Sequence, residues 1–357
     1  MINLYCIRPK GFNIGNDVIF LALNHFIRNA FKETVNIISL PATGKYEAQK
    51  KSGLTPQTIY EINQYGRGLI IGGGNLYENG ELEINPVALK ALEVPLMLFS
   101  LSRGRIYNRN LDMVDRTDVM SDEKIIMLNK KATLSLSRDL ATKRYIDSLG
   151  CNNIAGGCPT LFINEIPQHL IPLSEESKTD ALISIRTSTL MSIPVYYQFK
   201  VRDDIVKIID YLKSRRYKNI KFLCHDHRDI PFAASFLDVD YFYTEDVYTY
   251  LTFLKNTRLN ITYRLHSFLP CLSFDIPAIK ISYDERALSM LETIGMGEWN
   301  INMLKMNVIE EVISRINSLD RLNKLKEEYK LSIWKQFRET IINNFNIFAL
   351  KVNNLNT

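Results

Sequence analysis

The stretch NITYRLHSFLPCLSFDIPAIKISYDER, residues 260–286, sets the architecture. It opens within a β-branched run, LNITYR (259–264), passes through a helical pattern, and closes around a second run, IPAIKISY (276–283). Two apolar runs joined by a helix form a βαβ unit, the building block of parallel α/β sheets. Parallel strands are buried on both faces, so their hydrophobicity is continuous rather than alternating.

The same unit recurs outward in both directions. In the first half the runs are INLYCI (2–7), VNIISL (35–40), GLIIGGG (68–74), PLMLFSL (95–101) and ATLSLS (132–137). In the second half they are ALISIR (181–186), IKFLCH (220–225), VDYFYT (239–244), then the two runs quoted first. Between the series, NEIPQHLIPLSEESKTD (164–180) has Pro, Ser and charge but no periodicity, which reads as a linker. From Val308 to Leu350 the pattern turns helical. The expected fold is α/β: two Rossmann-like domains, 1–168 and 169–320, with parallel sheets facing a cleft as in glycosyltransferases of the B fold. A helical segment, 321–357, is expected to pack back on the first domain. Resemblance to the glycosyltransferase B fold implies an acceptor on the first domain and a donor on the second. Ligands of open parallel sheets bind beyond the carboxyl ends of the strands, so residues just after each run are the ones to read.

Composition narrows the function classes. The 357 residues are 46% hydrophobic and 23% charged, with 44 Lys and Arg against 39 Asp and Glu, a net charge of +5. That excludes a disordered chain, and 16 Gly with 12 Pro exclude collagen-like and low-complexity sequences. So mild a surplus, with mean hydropathy −0.10, suits an anionic small molecule or membrane surface better than nucleic acid. Cys6, Cys151, Cys158, Cys224 and Cys271 form no CxxC pair and read as free thiols of a reducing compartment. Neither a signal peptide nor a spanning helix is expected. The reading is a cytoplasmic protein, with attachment to the inner face of the cell membrane as an alternative.

Six stretches could carry chemistry. GFNIGNDVI (11–19) follows a strand and precedes a helix, so Asn13, Gly15, Asn16 and the helix N-terminus could meet an anion; an ordinary capped turn is the plain alternative. IIGGGNLYENG (70–80) puts Gly72, Gly73 and Gly74 before Asn75, which points to close approach of a ligand or another backbone. It lacks the Lys of a phosphate-binding loop. Arg138 of SLSRDL (135–140) could point into the cleft while Asp139 caps a helix, and Arg186 ends the ISIR run. Both suit carboxylate or phosphate. CHDHRD (224–229) invites a metal reading but lacks a third ligand at regular spacing, so no metal is expected. Finally, alternate residues of an extended segment share a side, so Arg264 and His266 should present a cation and a titratable imidazole together, with Asp284 and Arg286 closing the next strand.

These motifs, in this order, resemble the polysaccharide pyruvyl transferase family: the glycine turn with helix entry, GGGNL, RD followed by GGCPTLF (156–162), an Arg after the first strand of the second half, and RLHSFLPCLSFDIPAIKISYDER. They cover roughly residues 11–297. The resemblance implies transfer of pyruvate from phosphoenolpyruvate onto sugar hydroxyls as a ketal, in bacterial surface polysaccharide biosynthesis. Where such proteins commonly show GDE, this chain has Gly15, Asn16 and Asp17, and Cys158 replaces the usual acidic residue before Pro159.

That chemistry needs cations for the donor's phosphate and carboxylate, a proton for its methylene, and a base for the attacking hydroxyl. Arg264, Arg186 and Arg138 with the Gly72–Asn75 amides supply the first. His266 is the expected proton donor and Asp17 the expected base, with Leu265 and Ser267 flanking His266 at the substrate. Phosphoenolpyruvate is a substrate and no cofactor is expected. The acceptor is a saccharide, lipid-linked or nucleotide-linked. A glycosyltransferase using a nucleotide-sugar donor is the first rival reading, and a binding or assembly protein on the same scaffold the second. The aromatic residues of 331–352, Trp334, Phe337, Phe345 and Phe348, could pack on the first domain or lie on a membrane.

Overall fold

In a computed structural model, residues 1–44, 51–78, 80, 82–166, 170 and 172–354 are described. The first sheet is formed by β1 (Ile2–Arg8), β2 (Val35–Pro41), β3 (Gly68–Gly74), β4 (Leu96–Leu101), β7 (Leu134–Ser137) and β8 (Ile154–Ala155), in the order β2-β1-β3-β4-β7-β8. β5 (Ile106–Tyr107) and β6 (Met113–Val114) form a separate antiparallel hairpin. The second sheet is formed by β9 (Ala181–Ser184), β10 (Ile220–Cys224), β11 (Tyr241–Tyr243), β12 (Asn260–Thr262), β13 (Ala278–Ser282) and β14 (Ile301–Asn302), in the order β11-β10-β9-β12-β13-β14. Every pairing within the two sheets is parallel.

All ten apolar runs become strands. Buried on both faces, β3 and β4 are buried at every residue. The four strands missed, β5, β6, β8 and β14, are two residues long, too short to leave a periodic signal. The 164–180 stretch is not free of structure: 3₁₀ turns cover Pro159–Glu165 and Glu175–Ser177. The expected 168/169 boundary lies outside the described residues.

The strand orders locate the cleft. Chain direction across each sheet reverses once, between β1 and β3 in the first and between β9 and β12 in the second. At such a switch point the loops leave the carboxyl ends in opposite directions and open a crevice. The two crevices face each other.

The C-terminal helix Lys335–Asn353 packs against the helix Gly15–Ala30 of the first sheet. Phe345 stacks on Phe26 and meets Phe99 edge-on, while Val352 and Phe348 close on Gly68. Trp334 is buried and donates its indole N–H to the carbonyl of Ile294 at 2.8 Å. With Trp334, Phe345 and Phe348 committed to the core, the membrane-facing reading of these aromatics is not what the chain does. No helix among the described residues is long and apolar enough to cross a membrane. All five cysteines are buried free thiols.

Candidate functional site

A cavity of about 430 Å³ lies where the two switch points meet, within the size range of ligand sites. From the first sheet it receives the turn after β1, Gly74 and Asn75 after β3, and Arg138 after β7; from the second, Arg186 after β9 and Tyr263 to His266 after β12. Its wall also includes Arg116, Arg228 and Arg286, so six arginines and Lys10 stand against the carboxylates Asp118 and Asp284. An excess of cations in a concave, partly desolvated site favours an anion.

Most of these guanidiniums already have partners. Arg264 is buried, ion-paired to Asp229 and bonded to the carbonyl of Ile185 at 2.9 Å. Arg286 bridges Asp284 and Glu78, at 2.5 and 3.2 Å. Arg116 grips Asp118 through two bonds of 2.8 and 3.0 Å, and Arg228 pairs with Asp226. Arg186 sits 3.7 and 3.8 Å from Asp226 and Asp229, and burial together with Arg264 lowers its pKa to about 10. Arg138 differs. It is 3% exposed, its buried Nε has no hydrogen-bond partner, and among the described residues no carboxylate lies in ion-pair range of its guanidinium. A buried cation left unpaired is costly, and a bound anion is the natural compensation.

His266 also faces the cavity. It does not extend a strand beside Arg264 as expected: β12 stops at Thr262, Arg264 is the N-cap of the helix Leu265–Ser273, and His266 lies in its first turn. Both still reach the cavity because the cap turn is tightly held. Thr262 Oγ1 accepts from the Arg264 N–H at 2.9 Å and donates to the Arg264 carbonyl. Ser267 is buried among Ser184 and Asn260, at 2.7 Å from each; it anchors the turn and does not line the cavity. The His266 carbonyl accepts from the Tyr250 hydroxyl at 2.9 Å. That hydroxyl has one proton, so its 2.9 Å contact with His225 requires His225 Nε2 to be the donor. Burial lowers the His266 pKa to about 3, helped by Arg138, Arg286 and Arg264, so the free site holds a neutral imidazole whose buried Nε2 has no partner.

The two halves meet at this imidazole. The Ile14 N–H donates to the carbonyl of His225 at 3.0 Å. A Cβ on Gly15 would lie 2.9 Å from the His266 Cβ, so glycine is needed for the approach.

Of the residues singled out from sequence, Asn13, Asn16, Gly74, Asn75, Arg138, Arg186, Arg264, Leu265, His266 and Asp284 line the cavity. Asp17 does not; its carboxylate is bonded to Arg8 at 2.8 Å, which removes it from the base's position. Gly72 and Gly73 turn away: an added Cβ would meet Leu23 at 2.6 Å and Ile19 at 2.2 Å, so the close approach is of the Gly15–Ala30 helix and not of a ligand. That helix does not offer all its first N–H groups either, since Asn13 Oδ1 accepts from Gly15 at 3.0 Å. The CHDHRD side chains have structural work: His225 on Tyr250, His227 edge-on to Phe12, Asp226 and Asp229 on arginines. No group of three or more metal-capable side chains occurs among the described residues.

Sequence reasoning missed Arg116, Asp118 and Glu78 and gave Arg286 no role. Arg286 had a signal, two residues beyond Asp284 at a strand end. Arg116 and Asp118 leave the β5–β6 hairpin in a stretch without periodicity.

The model of the family described as polysaccharide pyruvyl transferase matches residues 13–285, from the turn that meets His266 to the residue after Asp284. The chain belongs to that family. No curated protein matches the sequence. Among solved structures, this polysaccharide pyruvyl transferase family member is similar to S. aureus MnaA in its co-structure with UDP, at TM-score 0.57 and 12% identity over 89% of this chain and 90% of that one. It is also similar to the Methanocaldococcus jannaschii UDP-GlcNAc 2-epimerase in complex with UDP-GlcNAc and UDP, at TM-score 0.56 and 13% identity over 88% and 93%. The Neisseria meningitidis UDP-GlcNAc 2-epimerase gives TM-score 0.55 at 10% identity, over 92% and 94%. At such identities the likeness shows the fold, two Rossmann-like sheets in the glycosyltransferase-B-like arrangement.

Proposed function

We propose that the protein moves the pyruvate unit of phosphoenolpyruvate onto two hydroxyls of a saccharide, forming a ketal and releasing phosphate, as a step of surface polysaccharide biosynthesis on the cytoplasmic side. The observation that carries this reading is Arg138, a buried guanidinium without a carboxylate partner among the described residues, in a cavity shared with His266. Arg138 and Arg186 take the donor's phosphate and carboxylate, and Arg264 and Arg286, fixed by their own ion pairs, add a preorganised positive field.

In this scheme donor binding charges the imidazole. The anions counter the three arginines that add to burial in holding His266 neutral, so its pKa rises. The imidazolium gives a proton to the donor's methylene, which becomes the methyl group, and the electron deficiency moves to the carbon bearing phosphate. One acceptor hydroxyl adds there and returns its proton to His266. The bond from that carbon to the phosphate oxygen then breaks, and phosphate departs with the electron pair. The second hydroxyl adds, its proton leaving with phosphate, and the ketal closes.

The test is phosphate release from phosphoenolpyruvate with and without saccharide acceptor. Acceptor-dependent release, reduced roughly 100-fold or more in His266→Ala, is the expected result. Sugar transfer from a nucleotide sugar with no phosphate release from phosphoenolpyruvate replaces the reading with glycosyl transfer.

A further inference from the structure

Beside the main cavity lies a second, of about 220 Å³, whose walls are the residues after β3 and those after β6. The walls are tied by backbone bonds, Met120 N–H to the Tyr77 carbonyl at 2.9 Å and Gly80 N–H to the Asp118 carbonyl at 3.3 Å. Asp118 lines both cavities and so stands at their junction. Its side chain is 42% exposed and is set by the two-bond grip of Arg116, which also donates to Ser192 of the second half at 3.0 Å.

Glu78 lines the second cavity from within. It is fully buried, and neither carboxylate oxygen has a hydrogen-bond partner among the described residues. Arg286 at 3.2 Å and Arg116 at 3.9 Å balance its charge but leave its acceptor capacity unused. With their charge met by Arg286 and Arg116, the two carboxylates do not call for a cation, and their unused lone pairs seek hydrogen-bond donors, which phosphate does not bring. They suit a neutral ligand rich in hydroxyl donors.

We propose that this second cavity holds the sugar ring of the acceptor, with Glu78 and Asp118 accepting hydrogen bonds from its hydroxyls and Asp118 marking where the reacting hydroxyls enter the arginine-lined cavity. The inference rests on the transfer reaction proposed above and names the acceptor site for it. The anionic donor and the neutral acceptor are thereby sorted by charge into adjoining spaces.

The test uses the full chain with phosphoenolpyruvate and a panel of methyl hexopyranosides, binding of each read by saturation-transfer NMR. At least one glycoside is expected to bind the wild type and to weaken by about tenfold in Asp118→Asn, the loss of a hydrogen bond to a charged acceptor. Phosphoenolpyruvate affinity should not fall, because Asp118→Asn takes a negative charge out of the arginine-lined cavity. Glu78→Gln, checked by circular dichroism for retained fold, should weaken the same glycoside. A glycoside that binds wild type and Asp118→Asn equally overturns the site, as does a panel in which nothing binds while phosphoenolpyruvate does. Asp118-sensitive glycoside binding without any phosphoenolpyruvate binding supports the sugar site and refutes the donor assignment.

Discussion

Gly15 and His266, 251 positions apart in the chain, touch so closely that a methyl group on Gly15 would sit 2.9 Å from the His266 Cβ and 3.0 Å from its Nδ1. The first half thus sets the position of the titratable group of the second. Gly15→Ala must push the imidazole aside or part the halves. Misplacement by about 1 Å can cost about 100-fold in rate, so a loss of that order in phosphate release, with affinity for phosphoenolpyruvate much less affected, is expected from steady-state kinetics.

Removing the carboxylate partner of Arg264 and removing the charge of Arg138 should act oppositely on stability. Asp229→Ala strips Arg264 of its buried partner, and stability should fall by about 3–5 kcal/mol in urea denaturation. Arg138→Met removes a buried charge that has no carboxylate partner among the described residues. Its urea midpoint should stay level or rise, the signature of a residue kept for function at a cost to stability.

The imidazole of His266 titrates near 3 in the free protein against 6.5 ordinarily, held down by burial and then by Arg138, Arg286 and Arg264. The unfolded chain therefore binds this proton at a pH where the native one does not. The His266 contribution to stability is complete above pH 6.5 and declines as pH falls from 6.5 toward 3. In histidine NMR, His266 should stay neutral from pH 8 to 5 without ligand and titrate higher once phosphoenolpyruvate is bound.

Gly73 adopts φ +77°, and an added Cβ would lie 2.2 Å from Ile19 Cγ2. Gly73→Ala combines left-handed strain with overpacking, and a loss of about 2–4 kcal/mol is expected from thermal unfolding.

What was legible in the sequence followed physical redundancy. Strands buried on both faces, such as β3 and β4, announce themselves as unbroken apolar runs, so the two sheets could be read directly. Arginines directly after those runs, Arg138 and Arg186, were legible because parallel strands deliver their ends to one crevice. Roles that depend on which way a side chain turns were not legible. Asp17 is one helix residue from Asn16, yet Asn16 lines the cavity while Asp17 turns to Arg8. The triple glycine has two jobs in successive residues, Gly73 against Ile19 and Gly74 at the cavity. Arg116 and Asp118 reach the site through a hairpin whose strands are two residues each, which leaves no periodicity to read.

Arg138 and its neighbours are proposed to form the phosphoenolpyruvate site. Thermal shift of wild type and Arg138→Met, each with phosphoenolpyruvate and with UDP-GlcNAc, tests this assignment most directly. A ligand at about 100 times its dissociation constant stabilises by about 2.7 kcal/mol. Phosphoenolpyruvate is expected to raise the Tm of the wild type and to leave that of Arg138→Met unchanged, with no shift from UDP-GlcNAc in either. Stabilisation of the wild type by UDP-GlcNAc and none by phosphoenolpyruvate would contradict the assignment.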